Sequence, residues 1–136
     1  MSKPIPTIQR YMTTSPYSIG KDQRIEAARK LMEEHSIRHL PVLHGGKLVG
    51  MVTHRDISLI EALRDVDPGK LSVEEAMSTS VYSVGPDAGL DEVASEMAEK
   101  KFGSAVVLQN AKVVGIFTTV DACRALSKLL SSRLSK

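Results

Sequence analysis

The chain contains two copies of one sequence unit. When the sequence is shifted by 65 positions, Met12–Ile57 aligns with Met77–Ala122 without a gap. Many of the aligned positions are identical, among them Tyr17/Tyr82 and Gly50/Gly115, and many of the others pair one apolar residue with another. A single supersecondary unit of this size cannot bury its own apolar face. The duplication therefore predicts two pseudo-symmetric halves with the functional site in the cleft between them.

Size and composition exclude several classes of protein. With 136 residues and a net charge of +2, the chain fits one compact domain and lacks the basic patch of a nucleic-acid binder. Its single cysteine, Cys123, excludes an intramolecular disulfide and fits a reducing compartment. No apolar run reaches the ~18 residues of a membrane span, and the N-terminus lacks the apolar core of a signal peptide. We expect a cytoplasmic protein that contacts neither nucleic acid nor membrane.

Apolar periodicity assigns the same order of elements to both copies. In the first copy we predict a strand at Tyr17–Gly20, a helix capped by Asp22, strands at Leu40–Leu43 and Leu48–Val52, and a helix from Thr53. The second copy repeats this order, with its helices starting at Pro86-Asp87 and Asp121 and strands at Ala105–Leu108 and Val113–Phe117. Each copy is thus a β-α-β-β-α unit, and the fold class is α+β. Asp67-Pro68-Gly69 marks the break, which predicts repeats at 8–64 and 73–130 joined by a linker at 65–72.

Both copies carry the pattern Gly-apolar-apolar-Thr-x-x-Asp where a strand leads into a helix. It reads Gly50–Asp56 in the first copy and Gly115–Asp121 in the second. The free N–H groups of a helix start favour an anion, and a carboxylate one turn on can accept hydrogen bonds from both hydroxyls of a ribose. The glycine would allow the strand to approach a flat ligand.

The same spacing has a purely structural interpretation. Thr-x-x-Asp at a strand-to-helix junction resembles a capping box, in which the threonine and the acid satisfy the helix start. Spacing alone favours capping, and duplication copies a cap as readily as a binding site.

The repeats resemble a pair of CBS domains. The resemblance rests on the duplicated Thr-x-x-Asp motif and on Ser36-Ile37-Arg38-His39-Leu40-Pro41-Val42, and it covers residues 8–130. It implies a Bateman module, a regulatory sensor that requires no cofactor and binds an adenosyl ligand between its repeats. AMP, ADP or ATP is the expected ligand, with S-adenosylmethionine and NAD as further candidates.

The resemblance also implies which residues bind the ligand. Asp56 or Asp121 would hold the ribose hydroxyls, and Thr53 or Thr118 would lie near the ribose and phosphate. Main chain and strand residues around the adenine would be Thr14, Tyr17, Ser18, Ile19 and Pro41, together with Thr79, Tyr82, Ser83 and Val84. For the tyrosines, a structural role at a sheet edge is an equal alternative to stacking on a base.

Cations that would meet a phosphate are concentrated in the first repeat. Arg38, His39 and Arg55 correspond to Gly103, Ser104 and Val120 in the second. Arginine suits phosphate because its planar fork makes two hydrogen bonds, and histidine adds charge only when protonated. Because pockets in the family mix residues of both repeats, we expect Arg38 and His39 to serve the pocket of Thr118 and Asp121. The alternative is that Arg38 and Arg55 point to solvent.

Three functions follow from these observations. The first is a nucleotide sensor that signals to an unknown effector protein by a population shift. The second is a ligand-independent interaction module, in which Thr-x-x-Asp only caps helices and the leucine-rich C-terminal helix mediates assembly. The resemblance also implies a homodimer, for which the helix faces at Ile57/Ile60 and Leu126/Leu129/Leu130 supply apolar surface. An enzyme is the most distant, since no nucleophile or acid–base pair converges in the sequence. No histidine pair has ligand spacing, so we expect no metal.

Overall fold

Two compact units make up the protein in the computed structural model, which describes residues 4–63, 65 and 67–134. The middle unit lies within residues 16–81. The terminal unit combines the described residues of 1–15 with those of 82–136. These units differ from the sequence repeats because the first residues of each repeat belong to the unit built mainly by the other repeat.

Both units contain the succession strand, helix, strand, strand, helix. The elements are a 3-10 helix at Ile8–Arg10, β1 (Thr13–Thr14), β2 (Ile19–Gly20), α1 (Ile25–His35), β3 (His39–His44), β4 (Lys47–Thr53), α2 (His54–Glu61), α3 (Val73–Ala76), β5 (Ser83–Val84), α4 (Leu90–Lys100), β6 (Ser104–Gln109), β7 (Lys112–Thr118) and α5 (Thr119–Leu134). The α+β fold class is confirmed.

The middle unit contains a sheet in the order β2-β3-β4, with β2 parallel and β4 antiparallel to β3. A one-residue bridge between Met51 and Ser78 adds the start of a further strand. The core of this unit lies between the sheet and α1, α2 and α3. It is formed by Ile19, Ile25, Ala28, Met32, Leu40, Val42, Val52, Ile57 and Val73.

The terminal unit repeats this plan with its outer strand completed. Its sheet runs β1-β7-β6-β5, where β5 is parallel to β6 and the other neighbours are antiparallel. Ile8 and Phe117 are fully buried in its core with Val93 and Val107. The N-terminal segment is bound to the unit by main-chain hydrogen bonds, including Ile8 N to the Ala88 oxygen at 2.8 Å.

The two hairpins have the same turn built from different residues. Gly45 and Gly46 join β3 to β4 with φ of 58° and 80°, and Asn110 and Ala111 join β6 to β7 with φ of 54° and 65°. Two successive residues at positive φ match the twist of the flanking strands. Glycine adopts this conformation without steric cost, whereas the Cβ atom of Ala111 makes it unfavourable.

The predicted helix starts were wrong in three places, and one of them is α5, which begins at Thr119 instead of Asp121. Helix α1 begins at Ile25 with Arg24 as N-cap, and α4 begins at Leu90 with Gly89 as N-cap. Asp22 and Asp87 therefore do not cap these helices. A turn precedes each helix instead, closed by Gln23 N to the Gly20 oxygen at 3.1 Å in the middle unit and Ala88 N to the Gly85 oxygen at 3.2 Å in the terminal unit.

The segment after the first repeat is more ordered than the sequence predicted. Arg64 and Val66 lie outside the described residues, and Asp67 turns the chain by accepting from Gly69 N at 2.9 Å. Beyond it, the Leu71 oxygen accepts from Ile25 N at 2.9 Å, and Ser72 starts α3 in a capping box with Glu75. Residues 71–77 thus pack on the middle unit, and α3 was not predicted. Periodicity cannot detect a helix of four residues.

Candidate functional site

The motif of the middle unit forms the helix cap that its spacing predicts. Thr53 is the N-cap of α2, and its Oγ1 accepts from Asp56 N at 3.1 Å. In return, Thr53 N donates to Asp56 Oδ2 at 2.9 Å. Within the described part of the chain, Asp56 Oδ1 receives no hydrogen bond. The half-buried carboxylate therefore caps the helix with one oxygen and leaves the other without a donor in the described residues.

Basic side chains of the middle unit lie next to this cap. His39 is the register partner of Thr53 across β3 and β4, which puts both side chains on one face of the sheet. The main-chain oxygen of Arg38 accepts from His54 N at 2.9 Å, so Arg38 stands beside the first residue of α2. Arg55, in the first turn, is exposed, as is Arg38. Three basic residues thus lie close to this helix start, through the strand register, a main-chain hydrogen bond and position in the first turn.

The motif of the terminal unit is more heavily hydrogen-bonded. Thr118 N donates to Asp121 Oδ2 at 2.9 Å, and Asp121 N donates to Thr118 Oγ1 at 3.3 Å. Thr13 on β1 donates its hydroxyl to Asp121 Oδ1 at 3.1 Å, and Arg124 donates to the same oxygen at 3.1 Å. Asp121 is only 5% exposed. This carboxylate links β1, β7 and α5.

The glycine that opens each motif makes room for a methionine. A Cβ atom at Gly50 would come within 2.5 Å of Met77 Sδ, and one at Gly115 would overlap Met12. The close approach at both glycines is therefore an intramolecular packing contact. The interpretation of this glycine as a seat for a flat ligand was wrong, because a side chain of the same unit already occupies the space.

The remaining predicted site residues are divided between the units. Thr14 pairs with Gly115 in the terminal unit, which also contains Tyr82, Ser83 and Val84 on or next to β5. The middle unit contains Thr79 together with Tyr17, Ser18, Ile19 and Pro41. In the terminal unit, the segment after Met12 of the first repeat lies with strand residues of the second repeat. In the middle unit, the segment after Met77 of the second repeat lies with strand residues of the first. No pattern within a single repeat indicated this exchange.

Both candidate tyrosines stack on a ring of their own unit. Tyr17, 49% exposed, stacks on His35 with ring centroids 3.8 Å apart, and Tyr82 stacks on Phe102 at 5.0 Å. Burial raises the pKa of the Tyr82 hydroxyl above its usual value of 10.0, and the nearby Glu96 and Glu92 raise it further. The structural role predicted as an alternative is therefore present at both positions.

The apolar surface of the helices differs from the predicted one in α2. Ile57 is 1% exposed and belongs to the core, and Ile60 packs against that core, so neither offers a free face. The exposed apolar residue of α2 is Leu59, at 59%. In α5, Leu126 and Leu130 are 58% and 48% exposed, so the prediction for this helix is correct at these two positions.

An apolar pocket of about 240 Å³ opens beside Leu126 in the terminal unit. Small side chains at Ala94 and Ala125 form part of its lining. The remaining lining residues are Ile5, Pro6, Leu90, Asp91, Phe117, Ala122 and Leu129. At the positions of Ala94 and Leu126, the middle unit carries an ion pair between Arg29 and Glu61. The two units therefore present different surfaces at equivalent places.

Metal-binding clusters and membrane-spanning helices are absent from the described residues. They contain no group of three or more histidine, cysteine, aspartate or glutamate side chains that could hold a metal ion. Their helices are too short or too polar to cross a bilayer. Cys123 is a free thiol at the surface.

The family model for the CBS domain matches residues 7–61 and 73–128, and the chain belongs to this family. The chain is 31% identical over 115 residues to CBS domain-containing protein YhcV of Bacillus subtilis, covering 85% of this chain and 81% of that protein. It is 32% identical over 122 residues to an inosine-5'-monophosphate dehydrogenase of Korarchaeum cryptofilum, which covers 89% of this chain. The chain spans only 24% of the length of that enzyme.

A solved structure with the same fold contains adenosyl ligands. It is the CBS domain pair of protein MJ0100 in complex with 5'-methylthioadenosine and S-adenosyl-L-methionine. That structure is 29% identical, with a TM-score of 0.83, and the match covers 93% of this chain and 99% of the other. The fold described above is thus the fold of a CBS domain pair.

Proposed function

We propose that the protein is a regulatory module that binds an adenosyl ligand at its Thr-x-x-Asp motif. AMP, ADP and ATP are the foremost candidates, and S-adenosylmethionine and NAD are the others. The observation that carries the proposal is the cluster of Thr53, Asp56, Arg38 and His39 in one unit. The cluster contains a helix start, and its carboxylate has one oxygen that receives no hydrogen bond in the described residues. Basic side chains lie nearby.

The chemistry of this cluster matches the parts of a nucleotide. A carboxylate oxygen accepts from ribose hydroxyls, and Arg38 and Arg55 supply permanent positive charge for phosphate. The CBS domain pair of protein MJ0100, which shares the fold, binds two adenosyl compounds, which supports an adenosyl group as the common element.

Regulation would proceed through a partner protein. Binding neutralises charge at the site and changes the relative stability of two conformations, and an effector protein reads that change. A ligand acts in this way only if it binds one conformation more tightly than the other.

We propose further that two copies associate through α5. Leu126 and Leu130 expose apolar surface next to an apolar pocket, and a second copy would remove both from water. This surface is also the basis of the second candidate function, a ligand-independent interaction module. That candidate is favoured by the observation that both motifs form helix caps.

Thermal unfolding of the purified protein tests the proposal. The ligands are AMP, ADP, ATP, S-adenosylmethionine and NAD, with GTP as the control for the base. A ligand at 100 times its dissociation constant adds about 2.7 kcal/mol of stability, which is a shift of several degrees. Shifts with adenine compounds alone support the sensor, and unchanged melting with all six compounds supports the interaction module instead.

A further inference from the structure

The carboxylate of Asp121 has no capacity left for a ligand. A carboxylate has about four lone-pair positions on its two oxygens. Oδ1 accepts from Thr13 Oγ1 and Arg124 Nη1, both at 3.1 Å, and Oδ2 accepts from Thr118 N at 2.9 Å and Thr118 Oγ1 at 3.2 Å. The side chain is also 5% exposed, so ribose hydroxyls would have to displace existing donors from a buried group.

The corresponding carboxylate, Asp56, has the opposite character. Its hydrogen bond from Thr53 N at 2.9 Å engages Oδ2, and Oδ1 accepts none in the described residues. The side chain is half-buried, and its helix starts at the surface. A ribose diol can therefore bind Asp56 without breaking the cap.

Two sequence differences between the repeats explain the contrast. The counterpart of Thr13 is Ser78, whose hydroxyl instead accepts from Ser80 N at 3.3 Å. The counterpart of Arg124 is Leu59, which has no donor. The two donors that engage Asp121 Oδ1 are thus both missing at Asp56.

Charge favours the same site. Arg38, His39 and Arg55 lie beside the Thr53–Asp56 motif, where the terminal unit has Gly103, Ser104 and Val120. The one arginine beside Asp121 is Arg124, and it is already paired with the carboxylate. Phosphate would consequently meet the exposed guanidinium groups of Arg38 and Arg55 in the middle unit.

We infer that the two motifs have separated in function, so that Asp56 is the ligand-binding carboxylate for a phosphorylated adenosyl ligand and Asp121 is a structural one. This inference rests on the proposed function, since it chooses between the two motif sites. It predicts one nucleotide per chain, held by the middle unit, and a terminal unit whose Thr13–Asp121–Arg124 contacts stabilise the fold. It also assigns Arg38 and His39 to the Asp56 site instead of the pocket of Thr118 and Asp121.

Isothermal titration with AMP tests the inference on the wild type and on matched variants. Asp56→Asn and Asp121→Asn each keep a carbonyl oxygen for the helix cap and remove the charge and one acceptor. Asp22→Asn, an exposed carboxylate of the middle unit, is the control. Because Asp121→Asn can lose structure, Arg124→Leu is added, which introduces the residue that the first repeat has at this place.

We expect one AMP per wild-type chain and at least a tenfold weaker affinity for Asp56→Asn. Arg124→Leu and Asp22→Asn should change the dissociation constant by less than about threefold, and folded Asp121→Asn should still bind while melting at a lower temperature. A stoichiometry of two, or loss of binding in folded Asp121→Asn with binding retained in Asp56→Asn, overturns the inference and leaves the proposed function intact. If AMP, ADP, ATP, S-adenosylmethionine and NAD all fail to bind the wild type, the proposed function fails and the inference falls with it.

Discussion

Met77 lies with its thioether against the main chain of Gly50, at a place where a Cβ atom on residue 50 would come within 2.5 Å of the sulfur. It would also lie 2.8 Å from the Ser78 oxygen. The methionine belongs to the first residues of the second repeat, yet it packs in the unit built mainly from the first repeat. The contact thus ties the start of the second repeat to the strand that leads into the Thr53–Asp56 motif.

Substituting Gly50 should therefore be costly. We expect Gly50→Ala to lower the free energy of unfolding by about 1–3 kcal/mol, because overpacking forces the backbone or Met77 to move. Urea unfolding measures the effect. Gly85→Ala is the matched control, since no atom lies within 4 Å of its added Cβ. Equal stability of the two variants would contradict the packing argument.

The hairpin between β6 and β7 offers a stabilising substitution. Ala111 has a φ of 65°, and its counterpart Gly46 has 80°. We expect Ala111→Gly to raise the free energy of unfolding by about 1 kcal/mol, because glycine removes the steric cost of the left-handed conformation. Gly46→Ala should lower it by a similar amount in the same urea series. A destabilising Ala111→Gly would show that the flexibility of the unfolded chain outweighs the strain.

The hydrogen bond from Thr13 to Asp121 joins residues 108 positions apart. We expect Thr13→Val to cost about 1–2 kcal/mol, because the valine keeps the shape and removes a donor to a buried carboxylate. Thr14→Val serves as the control, because it makes the same replacement of a hydroxyl by a methyl group at the next residue of β1. Melting curves of both variants should differ by several degrees, and coincident curves would count against a structural role for this bond.

Arg38 should distinguish ligands by their phosphate. We predict that Arg38→Ala weakens AMP and ATP binding about tenfold and leaves 5'-methylthioadenosine, which has no phosphate, unaffected. Titration calorimetry gives the dissociation constants. Lys47→Ala removes one positive charge at the start of β4, at the opposite end of that strand from Thr53. This variant should bind AMP, ATP and 5'-methylthioadenosine like the wild type. Equal losses for all three ligands would place Arg38 away from the phosphate.

Leu126 tests the proposed association of two copies. Its side chain is 58% exposed beside the apolar pocket of the terminal unit, and a charge there would oppose burial. We expect Leu126→Glu to convert a dimer into a monomer, as measured by light scattering after size-exclusion chromatography. Ser127→Glu adds the same charge at the next position and should remain dimeric. A dimer that survives Leu126→Glu would require a different interface.

Much of the fold was predictable because it depends on local patterns. The short apolar runs Leu40–Leu43 and Leu48–Val52 identified β3 and β4 to within about one residue, and Thr53 correctly predicted the start of α2. The starts of α1 and α4 were wrong because aspartates in turns resemble N-caps. The short segments β1 and α3 were missed, since two to four residues carry no periodicity and are held by contacts far along the chain.

The sequence by itself determined the duplication, the order of elements and the two Thr-x-x-Asp caps, because these depend on neighbouring residues and helix geometry. Only the tertiary structure decided which unit the first residues of each repeat join and which side chain packs against Gly50. It also decided how the hydrogen bonding of Asp56 differs from that of Asp121. The physical reason is that hydrogen-bond capacity and free volume depend on residues distant in sequence. Thr13 donates a hydrogen bond to Asp121 although the two residues are 108 positions apart, and no pattern within either repeat contains that information.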